Sequence, residues 1–119
     1  MQKISVLLSF LFIIGMAYSC TRNVAPEITC NGAASYDMNI KVIIDTNCAY
    51  EGCHNGGFAA PGTYLDYDGL TSDLDNGKFE TRVVNNQDMP PSYALGPTSL
   101  TQEELDLVIC WLEEGFPEN

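Results

Sequence analysis

The residues best suited to chemistry in this chain lie together in one short segment, CAYEGCH, at residues 48–54. The segment holds two cysteines and the only histidine of the 119 residues. Thiolate sulfur and imidazole nitrogen are common metal ligands, and cysteine also forms covalent bonds through its sulfur. The segment therefore predicts either a metal or cofactor site or a covalent cross-link.

Three interpretations fit this spacing. The first interpretation is a zinc site, because C-x4-C is an acceptable zinc spacing and Cys30 or Cys110 could supply a further ligand. Its weakness is that the adjacent side chains of Cys53 and His54 leave the backbone in different directions and converge poorly on one small ion. The second interpretation is a plain disulfide between Cys48 and Cys53. In the third, both cysteines bind a haem through thioether bonds and His54 ligates its iron, as in C-x-x-C-H motifs. A haem is wide enough for neighbouring residues to contact different parts of it.

The N-terminal sequence, MQKISVLLSFLFIIGMAYSC, carries one lysine and then an uncharged, mostly apolar run from Ile4 to Ala17. This run is shorter than the roughly 20 residues that cross a bilayer and is typical of a secretory signal peptide, which we expect to span residues 1–19. Cleavage after Ser19 makes Cys20 the first mature residue, in an arrangement that resembles the lipobox of bacterial lipoproteins. We therefore expect an exported protein, anchored by a lipid on Cys20 on the periplasmic side of a bacterial membrane. An ordinary secreted protein cut nearby is the alternative.

The charge of the chain excludes one class of partner. Residues 20–119 hold four basic residues against all 16 acidic ones, which is a formal net charge of −12. Binding of nucleic acid through its phosphates is not expected. The acidic surface favours a basic protein partner, or serves solubility alone. Export also favours disulfides, and with Cys20 lipidated four cysteines remain for the domain.

Residues 20–34 show no sustained apolar period and are predicted to form a tether, which leaves 35–119 as a single domain with a modest core. A first helix is predicted after Ser35, a suitable N-cap, although the β-branched cluster that follows also suits a short strand. The helix prediction rests on apolar residues at helical spacing, Tyr36, Ile40, Ile43 and Ile44.

The last segment gives the clearest helix prediction, from Gln102 to Glu114. Thr101 and Glu104 match a capping box, and Gly115 is a typical helix end. Its predicted apolar face consists of Leu105, Val108, Ile109 and Leu112.

The middle of the chain, residues 55–97, is rich in glycine and proline. Only YLDYDGLTSDLDNG is predicted to form one or two helical turns. A long irregular region is unusual in so small a domain, and it indicates that something other than protein fills the centre.

Three segments together resemble small bacterial monohaem c-type cytochromes. CAYEGCH is similar to their haem motif in its longer C-x4-C-H form, DMPPS to their Met-Pro-Pro loop, and LTQEELDLVICWLEEG to their closing helix. The resemblance spans roughly residues 35–115. It implies an all-α, cytochrome c-like fold around a covalently bound haem c, with thioether links at Cys48 and Cys53 and with His54 and Met89 as iron ligands.

The resemblance also implies a function. A His/Met pair leaves no open iron position and raises the reduction potential, which suits a carrier of single electrons better than an enzyme. Its partners would be redox proteins with a basic docking face. Because the terminal helices of cytochrome c folds cross in contact, a disulfide between Cys30 and Cys110 is expected, with two free thiols as the alternative. The competing functions are a catalytic haem protein and a secreted, disulfide-stabilised binding module without haem.

The motif spacing departs from C-x-x-C-H. Cysteines five positions apart on a continuous helix would point about 140° from one another, so the insertion must bulge, and Gly52 can permit this. Pro90 and Pro91 restrict the backbone beside Met89 and favour it over Met38 as the sulfur ligand. Further residues are candidates for contact with the haem propionates or its apolar faces: Tyr64 and Arg82, and Phe79, Val83, Val84 and Trp111.

Overall fold

The computed structural model describes residues 28–32, 34–57 and 60–119. The expected signal peptide, Cys20 and the first part of the tether lie outside these residues. The described part of the chain is helical and contains no β-strand, as expected for an all-α protein. Within it, no helix has the length and apolar character needed to cross a membrane.

Four α-helices form the described domain. In chain order they are α1 (Lys41–Asn47), α2 (Tyr67–Asp75), α3 (Lys78–Glu80) and α4 (Gln102–Glu113). A π-helical turn, Tyr36–Ile40, leads directly into α1, and a second one, Thr81–Asn85, follows α3. The irregular segment 86–101 then connects to α4.

The first helical stretch begins as the sequence predicts. The Ser35 hydroxyl accepts a hydrogen bond from the backbone N–H of Met38 at 3.4 Å, which makes Ser35 the N-cap. The spacing of the apolar residues places them on one side of the helix, where all four are buried: Tyr36, Ile40, Ile43 and Ile44. A strand would have divided these side chains between two faces.

Helix α4 ends one residue before its predicted end and has the predicted capping box. The Thr101 hydroxyl accepts from the Glu104 backbone N–H at 3.3 Å, and the Glu104 carboxylate accepts from the Thr101 N–H at 2.8 Å. Gly115 follows in the left-handed conformation, with φ of 82°.

The buried face of α4 differs from the predicted one. Val108 and Trp111 are fully buried, whereas Ile109 is only partly buried. The chain folds back after Gly115, so that the Trp111 indole N–H donates to the Pro117 carbonyl at 2.9 Å. Trp111 therefore belongs to the aromatic core, and it does not line the cavity beside the CAYEGCH segment.

The expectation of a long irregular middle holds only in part, because residues 67–85 are almost continuously helical. The Asp66 carboxylate caps α2 by accepting from the Gly69 N–H at 2.9 Å. A turn at Gly77, with φ of 72°, separates α2 from α3. The turn interrupts the helical spacing of the apolar residues, so the sequence does not show that they share one buried side. The buried residues of this stretch are Leu70, Leu74, Phe79 and Val83.

The two ends of the domain are joined. The sulfurs of Cys30 and Cys110 lie 2.03 Å apart, at disulfide distance. The backbone N–H groups of Tyr36 and Asp37 also donate to the carbonyls of Pro117 and Glu118, at 3.0 and 2.9 Å. The start of the first helical stretch is thereby fixed beside the end of α4.

Candidate functional site

A cavity of about 350 Å³ lies between the CAYEGCH segment, the helical residues 78–83 and the segment 89–95. Its volume falls in the range of small-molecule and cofactor pockets, roughly 300–1,000 Å³. The structure brings four of the predicted site residues to the lining of this one cavity: Cys48, Cys53, His54 and Met89.

The backbone of the motif forms a bulged loop. Helix α1 ends one residue before Cys48, whose carbonyl accepts from the His54 N–H at 2.9 Å. Inside this closure the Tyr50 carbonyl accepts from the Cys53 N–H at 3.0 Å. Gly52 adopts φ of 86°, a conformation that favours glycine, in the insertion where the sequence requires a bulge. The bulge lets both cysteines and the histidine line the same cavity despite the long spacing.

Both motif cysteines are free thiols. Burial, with smaller effects from the charges of Cys53 and Glu104, raises the pKa of Cys48 to about 12. Cys48 is therefore a protonated thiol at neutral pH. Cys53 is partly exposed. The plain Cys48–Cys53 disulfide is thus not formed in the structure, and both sulfurs remain open to another covalent bond.

The zinc interpretation loses its further ligands. Cys30 and Cys110 are bonded to one another, so neither can supply a thiolate to the motif. Across the described ranges of the chain, no group of three or more His, Cys, Asp or Glu side chains could hold a metal ion. A site built from protein ligands alone is therefore not supported.

The His54 side chain is held against Tyr64. The two rings stack with centroids 4.1 Å apart and planes 11° from parallel, and the Tyr64 N–H donates to the His54 carbonyl at 2.7 Å. The Tyr64 hydroxyl donates to the Asp73 carboxylate at 2.6 Å, which fixes the tyrosine ring in turn. Burial and this hydrogen bond raise the pKa of Tyr64 well above its usual range.

The imidazole also has an unused polar atom. The Nδ1 atom of His54 is buried and has no hydrogen-bond partner among the described residues. A buried polar atom without a partner costs roughly 1–3 kcal/mol. The residue itself lines the cavity, where an imidazole is a suitable ligand for a metal or cofactor.

Met89 is partly buried in the segment after the second π-helical turn. The residue before it, Asp88, is bound twice to Arg82: its backbone N–H donates to the Arg82 carbonyl at 3.0 Å, and its carboxylate accepts from the Arg82 guanidinium at 2.6 Å. Pro90, the next residue, is buried. Met38 is 75% exposed and does not line the cavity. Of the two methionines, only Met89 is placed at the site.

The cavity has further lining residues that the sequence analysis did not single out, among them Tyr50, Lys78, Tyr93 and Leu95. Lys78 lies four positions before Arg82, and this i, i+4 spacing is the signal that places both cations on one side of the helical stretch. Each cation is paired with a carboxylate, Lys78 with Asp73 and Arg82 with Asp88. Tyr50, Tyr93 and Leu95 lie in irregular segments, where no periodicity indicates which way a side chain points.

Comparison of the sequence with protein-family models and with curated proteins finds no match, and comparison with solved structures finds none either.

Proposed function

We propose that this protein is a c-type cytochrome that carries single electrons through one covalently bound haem c. The observation that carries the proposal is the cavity itself, whose lining joins two free thiols, the imidazole of His54 and the thioether of Met89. These are the groups that haem c requires for covalent attachment and for His/Met ligation of its iron.

The rest of the cavity suits a haem as well. Phe79 and Val83 give it an apolar wall from the core. Lys78 and Arg82 supply cations for the carboxylates of a haem, and both side chains retain exposure beside their partners Asp73 and Asp88. An apolar wall beside a few cations matches a flat, mostly apolar cofactor with a charged edge.

The helix order supports the finer proposal of a cytochrome c-like fold. A helical stretch leads into the CAYEGCH loop, further helices follow, a Met-Pro-Pro segment comes next, and a capped helix closes the domain. The first and last helical stretches are in contact, and the Cys30–Cys110 pair joins their ends. This is the arrangement that the resemblance implies for the terminal helices.

In this proposal the chain's own residues hold and tune the cofactor. Cys48 and Cys53 anchor it through sulfur, and Tyr64 holds the His54 ring in one orientation. The two bonds between Asp88 and Arg82 hold the backbone beside Met89. The bound haem supplies a one-electron iron couple. Because His54 and Met89 would both ligate the iron, a substrate could not bind it directly, and we therefore propose a carrier and not an enzyme.

We propose export and lipid anchoring from the N-terminal sequence, with Cys20 as the lipidated residue and the periplasmic side of a bacterial membrane as the location. The formal net charge of −12 for residues 20–119 favours redox protein partners with a basic docking face. Electron transfer to such a partner should slow as the ionic strength rises from about 0.01 to 0.15 M, because the Debye length falls from about 30 to 8 Å. Rates that do not depend on salt would contradict this docking mode.

Intact mass and the visible spectrum test the proposed function. The full-length chain is produced in a bacterial host able to attach haem c. We expect a coloured product whose mass equals residues 20–119 plus one haem and the acyl groups. A colourless product with only polypeptide and acyl mass would refute the proposal and favour the secreted binding module without haem.

Matched cysteine variants sharpen this test. The pair Cys48→Ala/Cys53→Ala should lose all covalent haem, since both attachment sulfurs are gone. The pair Cys30→Ala/Cys110→Ala removes the same number of sulfurs away from the cavity and should keep the full haem mass. Full covalent haem in Cys48→Ala/Cys53→Ala would place attachment elsewhere.

A further inference from the structure

We infer that Tyr50 is a positioning residue. Its ring packs on Gly96 and holds the segment that carries Met89 against the CAYEGCH loop, and we call this contact the clasp. Tyr50 belongs to the insertion that lengthens the motif from C-x-x-C-H to C-x4-C-H. The hydrogen bond from the Cys53 N–H to the Tyr50 carbonyl, at 3.0 Å, fixes its backbone within the bulge. The extra residues therefore place a large side chain beside the cavity at a defined point.

The Tyr50 ring lies directly against Gly96, in the segment after Met89. A Cβ atom added at Gly96 would lie 2.9 Å from Tyr50 Cζ and 3.1 and 3.2 Å from the two Cε atoms. Gly96 does not adopt a left-handed conformation, so its backbone could accept another residue. What requires glycine here is the close approach of the tyrosine ring.

This contact is the second anchor of the segment between Met89 and Gly96. The first anchor is the pair of bonds between Asp88 and Arg82, at the start of the segment. Pro90 is buried, but the large side chains of the later part of the segment give it little hold, since Tyr93 is 83% exposed and Leu95 is 98% exposed. Tyr50 therefore supplies packing that this later part lacks.

The contact is made by the ring of Tyr50, whose buried hydroxyl lies near the Cys53 side chain and the Gly96 backbone. Phenylalanine at this position should therefore keep the clasp, whereas leucine, which lacks the ring, should release it. Release would increase the population of conformations in which Met89 has left the cavity.

The effect on iron ligation rests on the proposed function, but the clasp itself does not. Its first test is hydrogen exchange of the Ala94 amide, which donates to the Pro91 carbonyl at 3.0 Å within the segment. The full-length protein is used as purified, with or without haem. We expect exchange about tenfold faster in Tyr50→Leu and in Gly96→Ala, and unchanged in Tyr50→Phe and in the control Met38→Leu, whose side chain is exposed and lies away from the cavity. Unchanged exchange of Ala94 in both disrupting variants would overturn the inference.

Local and global effects are separated by the amides of α4. The Leu105 N–H, which donates to the Thr101 carbonyl at 2.9 Å, should keep its exchange rate if only the segment opens. If Tyr50→Leu accelerates both amides equally, the Gly96→Ala variant decides, because it retains every side chain. Selective acceleration of Ala94 in that variant supports the clasp, and no such selectivity refutes it.

The second test uses the haem-containing protein and added imidazole, followed by the optical spectrum. Imidazole can bind the iron only when Met89 has left it, so its apparent Kd is inversely proportional to the open population. We expect about tenfold tighter imidazole binding in Tyr50→Leu and Gly96→Ala, and wild-type binding in Tyr50→Phe and Met38→Leu. Wild-type affinity in all four variants would refute a role of Tyr50 in ligation. A protein without haem would refute the proposed function, while the exchange of Ala94 would still report on the clasp.

Discussion

Breaking the disulfide between Cys30 and Cys110 should remove a large part of the stability of the domain. The bridge spans a sequence separation of 80 residues. In the chain-entropy treatment, closing a loop of this length lowers the free energy of the folded state relative to the unfolded one by about 4.5 kcal/mol at 25 °C. Small domains have free energies of unfolding of roughly 5–15 kcal/mol, so the loss is a substantial share.

The same loss can be expressed as a melting temperature. For a domain of 60–100 residues, each kcal/mol shifts Tm by roughly 4–8 °C, so removal of the bridge should lower Tm by about 20–35 °C. The native contacts between the ends remain, including the bonds from Tyr36 and Asp37 to Pro117 and Glu118. We therefore expect a variant that still folds at low temperature, with much lower stability.

The assay is urea unfolding followed by circular dichroism, on the wild type, Cys30→Ala, Cys110→Ala and the double variant. Either single change breaks the bridge, so all three variants should lose nearly the same free energy of unfolding. A loss below about 1 kcal/mol in the double variant would refute the loop-entropy reasoning. A double variant much less stable than either single one would show that most of the lost free energy of unfolding comes from side-chain packing and not from the bridge.

Three further predictions concern single residues at the cavity. Met89→Ala should abolish the low-spin optical spectrum of the haem-containing protein. The control Met38→Ala should leave the spectrum intact, because the Met38 side chain is exposed. A spectrum unaffected by Met89→Ala would exclude sulfur ligation by this residue. Tyr64→Phe removes the 2.6 Å hydrogen bond to the Asp73 carboxylate and should lower the free energy of unfolding by about 1.5–3 kcal/mol in urea titrations, where an unchanged midpoint would contradict the result. The Cys48 thiol has a pKa of about 12 when folded, against its usual 9.0, so in haem-free protein its contribution to stability is fully present below pH 9 and is lost as the pH rises to 12. In the wild type, the free energy of unfolding should decrease as the pH rises through this range. An identical decrease in Cys48→Ala would show that the Cys48 thiol is not its cause.

Much of the helical structure was predictable because its signals are local. The Ser35 cap, the Thr101–Glu104 capping box and the end at Gly115 each depend on residues within one helical turn. The bulge at Gly52 was also predictable, since the spacing of the two cysteines cannot be met on a regular helix. Helix α2 lies within the segment predicted to form one or two helical turns, whereas α3 and the π-helical turn after it were missed because the Gly77 turn shifts their apolar residues out of a single period.

The sequence by itself determined which chemical groups the protein has: two motif thiols, one histidine and one methionine beside two prolines, in a fixed order along the chain. Only the tertiary structure decided that Met89 reaches the cavity of Cys48 and His54, that Trp111 faces the core, and that Tyr50 packs on Gly96. The physical reason is the range of the interactions. Caps and turns form between neighbours, whereas these contacts join residues tens of positions apart and exist only once the helices have packed.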